Sequence, residues 1–188
     1  MVFADEESPV FLSGFFDIVA AGIRGEDKVT EAFRTGRGVG WHEQHRCLFC
    51  GTERFFRPGY RGSLVTEWIP ALEGVQEKLE RGAKVADIGC GHGASTHVLQ
   101  TLATDGTWMI VEPFANDHLQ DNLNPVGRVF YGASTVICTP ASLSQEVGLA
   151  LGAQAGQARL TDVLEQGGFT RVRRATETPF NLILEARP

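Results

Sequence analysis

The run Val85 to Gly93, VADIGCGHG, carries the strongest chemical signal in the chain. An apolar strand that delivers glycines at 89, 91 and 93 into the start of a helix lets backbone pass close to a ligand, because no Cβ atom stands in the way. The helix N-terminus that follows offers unpaired N–H groups and a partial positive charge, suited to a carboxylate or phosphate. Asp87, at the strand end, can accept a hydrogen bond from an ammonium group, directly or through water, and Cys90 sits among the glycines. The glycines alone also admit a dinucleotide, or a tight strand-to-helix turn with no ligand. Glu112 lies 25 positions beyond Asp87, at the end of the next apolar run, TWMIVE. An acid in that place is the local signature of ribose recognition. The competing reading is a strand-end acid in solvent.

A second cluster joins His42, Glu43, His45, Cys47 and Cys50. Cys-x-x-Cys with nearby histidines is a familiar zinc half-site, but no second half-site follows, so no metal is assigned. Leu48 and Phe49, inside the cysteine pair, favour a helix packing on a core. His42 and His45 are read as catalytic candidates, since imidazole can remove a substrate proton near neutral pH. Trp41, Phe55, Phe56, Tyr60 and Trp68 line an apolar substrate site on one reading and fill a core on the other. His92 is read as shaping the glycine loop.

These residues need elements to hold them. Ser8 or Ser13 is expected to cap a helix through FFDIVAAGI that ends at Gly25, and Asp27 or Thr30 to open a shorter one stopped by TGRGVG. Pro58 and Gly59 are expected to break the chain. From Leu64 to Leu79 apolar residues recur at helical period, with Pro70 as a kink or boundary and Gly82 as the stop. KVADIG and TWMIVE read as strands, with a helix from Ala94 to about Leu102 between them. A helical stretch follows near 127–138, then a cap at Ser142 or Ser144 and an amphipathic helix QARLTDVLEQ. FTRVRRA and FNLILEA read as an antiparallel strand pair, with Arg171, Arg173 and Arg174 on a solvated face.

Composition narrows the functional classes. With 188 residues, 43% hydrophobic and 21% charged, the chain is long enough for one well-buried domain and is not disordered in type. A net charge of −6 argues against a nucleic-acid partner. No apolar run is long enough for a membrane span, and the acidic start MVFADEESPVFL is unlike a signal peptide. A cytoplasmic location is expected, with the four cysteines reduced.

The string VADIGCGHGAST resembles the first motif of class I S-adenosylmethionine-dependent methyltransferases. Together with TEAFRTGRGVGWHEQHRCLFCGTERFFRPGY, GTWMIVEPFANDHLQDNLNPVGRVFYGASTVICTPASLSQEVGLALGAQAG and GFTRVRRATETPFNLILEARP, it makes nearly the whole chain similar to an actinobacterial family of these enzymes. The resemblance implies an α/β fold: a reduced Rossmann-like sheet with a helical N-terminal cap (1–82) and a truncated cofactor-binding domain (83–188) that closes in an antiparallel hairpin. It implies S-adenosylmethionine as cofactor, held by Asp87, Gly89, Cys90, Gly91 and Gly93, and a small-molecule methyl acceptor, which His42 and His45 face on the reading of their residue types. Glu112, the ribose ligand on the local reading, lies near the active-site rim on the resemblance, and both put it at the carboxyl edge of the sheet. Two pieces of the family pattern are absent. Members usually begin with a winged-helix dimerisation domain, and they carry roughly 70–80 further residues where Thr96 here meets His97, a size set by βα units of about 30 residues. The missing stretch normally supplies the ribose-binding acid. The alternative function is therefore a catalytically weak or inactive remnant acting as a binding or dimerisation module. An unpaired edge on KVADIG points to a homodimer.

Overall fold

The computed structural model describes residues 2–6, 8, 11–86 and 105–188. The expected strand end, glycine loop and following helix, from Asp87 through Gly93 to Leu102, lie outside the described residues. In chain order the elements are α1 (Gly14–Arg24), α2 (Glu26–Thr35), α3 (Arg46–Ser63), α4 (Val75–Glu80), β1 (Trp108–Pro113), α5 (Pro125–Ala133), α6 (Thr139–Leu143), α7 (Gly156–Gln166), β2 (Arg171–Glu177) and β3 (Asn181–Arg187). They form two compact units: 1–65 with 131–153, and 66–130 with 154–188. The packing units are thus interleaved along the chain, and 131–153 packs with the N-terminal helices rather than with the sheet.

In the first unit α1 crosses α3 at two glycines. A Cβ added to Gly14 would stand 2.5 Å from the Phe55 nitrogen, and one added to Gly51 would stand 2.7 Å from Asp17 Cβ. The two backbones therefore touch where any side chain would hold them apart. Arg54 clamps the crossing by donating to Asp17 at 2.6 Å and to Glu6 at 3.0 Å. Ala21, Leu48 and Ile137 are buried beside it, with Ile18, Trp41 and Val136 packed on them.

Several local expectations change. Ser13 stands at the N-cap of α1, but its hydroxyl donates to the Phe3 carbonyl instead of capping. The N-cap of α2 is Gly25, two residues earlier than Asp27 and five earlier than Thr30, because α1 and α2 share that glycine. Pro58 and Gly59 do not break the chain: α3 runs through both and continues as a π-helical turn over Leu64–Trp68. Leu48, Gly51 and Pro58 are its buried positions and fall on one face, so packing outweighs the hydrogen bond that proline removes. Past Pro70 the helix does end, and α4 restarts after Gly74, whose φ is +64°. Ser142 and Ser144 cap no helix start. The Ser142 hydroxyl accepts from the Ala150 nitrogen at 2.9 Å, and Ser144 donates back to the Ala141 carbonyl at 2.7 Å, closing α6.

The second unit is built on a three-stranded antiparallel sheet ordered β1-β3-β2. β1 and β2 run the same way on either side of β3, with Ile110 opposite Leu184 and Val172 opposite Ala186. The expected C-terminal antiparallel hairpin is β2 and β3. Leu182 to Ala186 are all buried, as befits a central strand covered on both faces. On one face Leu184 and Ala186 pack with Leu164, Phe169, Trp108 and Ile110, and the Trp108 and Phe169 rings lie 5.4 Å apart. On the other face Glu185, 2% exposed, is the one charged residue in the buried run. It accepts from Arg173 and, at 2.6 Å, from Arg187, and the Glu73 nitrogen donates to it at 3.3 Å. Arg173 also donates to the Ala71 carbonyl, and Arg187 to that of Glu73. The expected solvated arginine face holds only in part: Arg171 is exposed, while Arg173, its side chain 40% exposed, reaches the buried Glu185 that stands opposite it in the register.

Candidate functional site

Glu112 is the cofactor candidate that the described residues contain. It lies next to last in β1, opposite Leu182, and follows Trp108 and Ile110 on the face that packs against Leu164 and Phe169. Period-two alternation thus puts a carboxyl at the end of an apolar row. Burial alone pushes its pKa up to about 7, and no ion pair or hydrogen bond to it occurs among the described residues. A carboxyl in that condition is a ready acceptor for hydroxyl donors, because any donor it gains replaces lost hydration. Asp87, Gly89, Cys90, Gly91 and Gly93, and with them His92, lie outside the described residues.

The segment after β1 is organised by residues that the sequence reading passed over. Asn122, 3% exposed, accepts from the Asn116 nitrogen at 2.8 Å and donates to the carbonyls of Asn116 and His118 at 2.9 and 3.1 Å. Asp117 accepts from the Ala158 nitrogen at 2.8 Å, so it caps the first turn of α7 from outside that helix. The Asn- and Asp-rich string FANDHLQDNLN held the signal, since these side chains bond local backbone and build tight loops. Phe114 donates to the Phe180 carbonyl at 2.9 Å, which ties the same loop to the β2–β3 turn.

The histidine candidates fall in the first unit. His42 is exposed, in a 3₁₀ turn over Trp41–Glu43. His45 is the N-cap of α3, and its Nδ1 accepts from the Cys47 nitrogen at 3.2 Å. That bond assigns the proton of the neutral ring to Nε2. Glu43 Oε2 accepts from the Gly40 nitrogen at 2.7 Å, which closes the 3₁₀ turn. His45, Glu43 and Gln44 line one cavity of about 340 Å³, and His42 is not among its walls. Cys47 and Cys50 are free thiols in the first turns of α3. Among the described residues no group of three or more His, Cys, Asp or Glu side chains converges as a metal site.

The aromatic residues divide. Trp68 is 1% exposed, and Trp41 meets Phe49 edge-on at 5.2 Å. Phe55 and Phe56 stack edge-on at 5.0 Å, with Tyr60 beside Phe56. Among the described residues no helix is long and apolar enough to cross a membrane. In comparisons with known proteins, no family model matches the chain and no curated protein matches it.

Proposed function

We propose that this chain transfers a methyl group from S-adenosylmethionine to a small molecule, on a reduced Rossmann-like sheet. The observation that carries the reading is the string VADIGCGHG, which resembles the first motif of class I methyltransferases. Glu112 supports it from the structure: a carboxyl among apolar neighbours, with no partner among the described residues, fits the paired hydroxyls of a ribose. When bound, the cofactor supplies an electrophilic methyl on a sulfonium. Transfer to the acceptor's lone pair would break the carbon–sulfur bond, with S-adenosylhomocysteine as the leaving group. The protein's part is to hold the acceptor in line, exclude water and take up any proton the acceptor loses. His42, exposed and with neither ring nitrogen committed to a cap, is the better placed of the two histidines to take that proton. For His45 to do so at Nδ1, the cap of α3 must open.

The second reading, a binding or dimerisation module without turnover, is favoured by one surface. Phe16, Val19 and Ile23 recur at helical spacing along α1, with Leu12 just before its start, and all four are exposed, Phe16 by 59% and Ile23 by 69%. Such a stripe suits a second copy of the chain. Calorimetric titration with S-adenosylmethionine and S-adenosylhomocysteine tests the first reading. One site per chain is expected, lost in Gly89→Val and Gly91→Val with helicity retained. Equal affinity in wild type and both variants, or no binding at all, overturns the cofactor assignment. Binding without methyl transfer to any of a panel of small acceptors selects the second reading.

A further inference from the structure

The cavity that His45 lines lies where α1 ends, α2 begins and α3 begins, and its other charged walls are Arg24, Lys28, Arg46 and Glu43. Among the described residues none of the three permanent cations is in an ion pair. Neutral groups hold two of them instead. The Arg24 guanidinium rests 3.8 Å from Cys47 Sγ, and the Lys28 ammonium donates to the Glu43 carbonyl. Each is fixed in place without being neutralised. The one wall carboxylate, Glu43, is committed to the Gly40 nitrogen.

Two further donors share the walls. The Gln44 side-chain nitrogen is buried and has no acceptor among the described residues. His45, with Nδ1 occupied, keeps an N–H on Nε2. The first turn of the long helix α3 adds its own partial positive charge. Like charges gathered around one concavity repel each other, in a chain that is otherwise acidic overall. An anion relieves that repulsion and gives the orphaned donor its acceptor. Three cations against one committed carboxylate match a dianion better than a single carboxylate. The volume exceeds what one phosphate ion fills and sits at the small end of the range that holds organic ligands.

We infer that this cavity binds the phosphate group of a small phosphorylated molecule. Arg24, Lys28 and Arg46 neutralise the phosphate, while His45 Nε2 and the Gln44 amide donate to its oxygens. The site stands within the first unit and does not depend on the methyl-transfer reading. Calorimetric titration of the full chain at constant ionic strength tests it, with inorganic phosphate in one arm and glycerol 3-phosphate in the other. One saturable site per chain is expected, about tenfold tighter for the organic phosphate. Equal affinity for the two probes assigns the site to free phosphate and overturns the small-molecule reading. The double variant Arg24→Gln/Lys28→Gln should lose at least roughly tenfold in affinity, the scale of a lost charge-assisted contact. Arg34→Gln, at the far end of α2 where Arg34 faces Glu31, should bind as wild type does. No saturable heat from either probe, or unchanged affinity in a double variant that keeps its helical circular dichroism, overturns the site. S-adenosylmethionine is absent from every arm, so failure here leaves the methyl-transfer reading standing, and the reverse.

Discussion

Two acids on neighbouring strands meet opposite surroundings. Glu112 ends an apolar row, and burial holds its pKa near 7, against an ordinary value of 4.5. Between those two values the folded chain keeps a proton that the unfolded chain has released. The resulting stability is therefore fully present below about pH 4.5 and lost as pH rises toward 7, amounting to about 3 kcal/mol. Glu112→Gln should remove that slope, which urea unfolding at a series of pH values will show. If the ionised carboxylate holds the ribose, cofactor affinity should climb between pH 6 and 8, and Glu112→Gln should lose about 1–3 kcal/mol of binding. Ion pairs with Arg173 and Arg187 offset the burial of Glu185. Glu185→Ala leaves both arginines without their acid and should cost about 3 kcal/mol, the low end for a buried pair because Arg173 still reaches water. The sequence made Glu112 a candidate, since its place at a strand end and its distance from the glycine string both singled it out. Glu185 and Asn122 escaped notice because what they do depends on partners far along the chain or across a loop.

At the scale of elements, the α1–α3 crossing depends on bare backbone. Gly51→Ala should therefore cost about 2–3 kcal/mol, as overpacked cores do. Gly22, also in α1, is the contrast: an added Cβ there meets only Val136 Cγ2, at 3.8 Å. Gly22→Ala should stabilise the chain by about 0.5–1 kcal/mol, the difference in helix propensity. Thermal unfolding of the two single variants should shift the midpoint in opposite directions. Glycine punctuation was readable where it ended an element, as at Gly36 and Gly82, both with positive φ. Nothing in the one-dimensional pattern separates Gly51 from Gly22, since close approach is a property of two helices at once. Proline misled for a related reason. Pro58 lies on the buried stripe of α3, and tertiary packing keeps the helix whole where local rules end it.

For the whole molecule, the homodimer expected from the sequence was to close at the KVADIG edge, and the exposed α1 stripe is the other surface we propose for a second copy. Phe16→Asp and Ile23→Asp should shift the chain toward monomer by light scattering, and an unchanged monomeric mass in wild type would retire that proposal. The α/β class and the closing hairpin were readable, because strand and helix periods differ and a short turn joins β2 to β3. The grouping of 131–153 with the N-terminal helices was not, since no local signal marks a segment that leaves its neighbours in sequence. That interleaving bears on how the protein is made. As the chain leaves the ribosome, α1 and α3 can meet early, but Ile137 reaches them only after β1 has already been synthesised. β1 must in turn wait for its partner, because Ile110 pairs with Leu184 in β3. The hairpin β2–β3 can zip within microseconds, whereas closing β1 onto it requires a long loop and is the slower event. During that interval the nascent chain carries an unpaired apolar strand, and a ribosome-bound chaperone has its clearest target there.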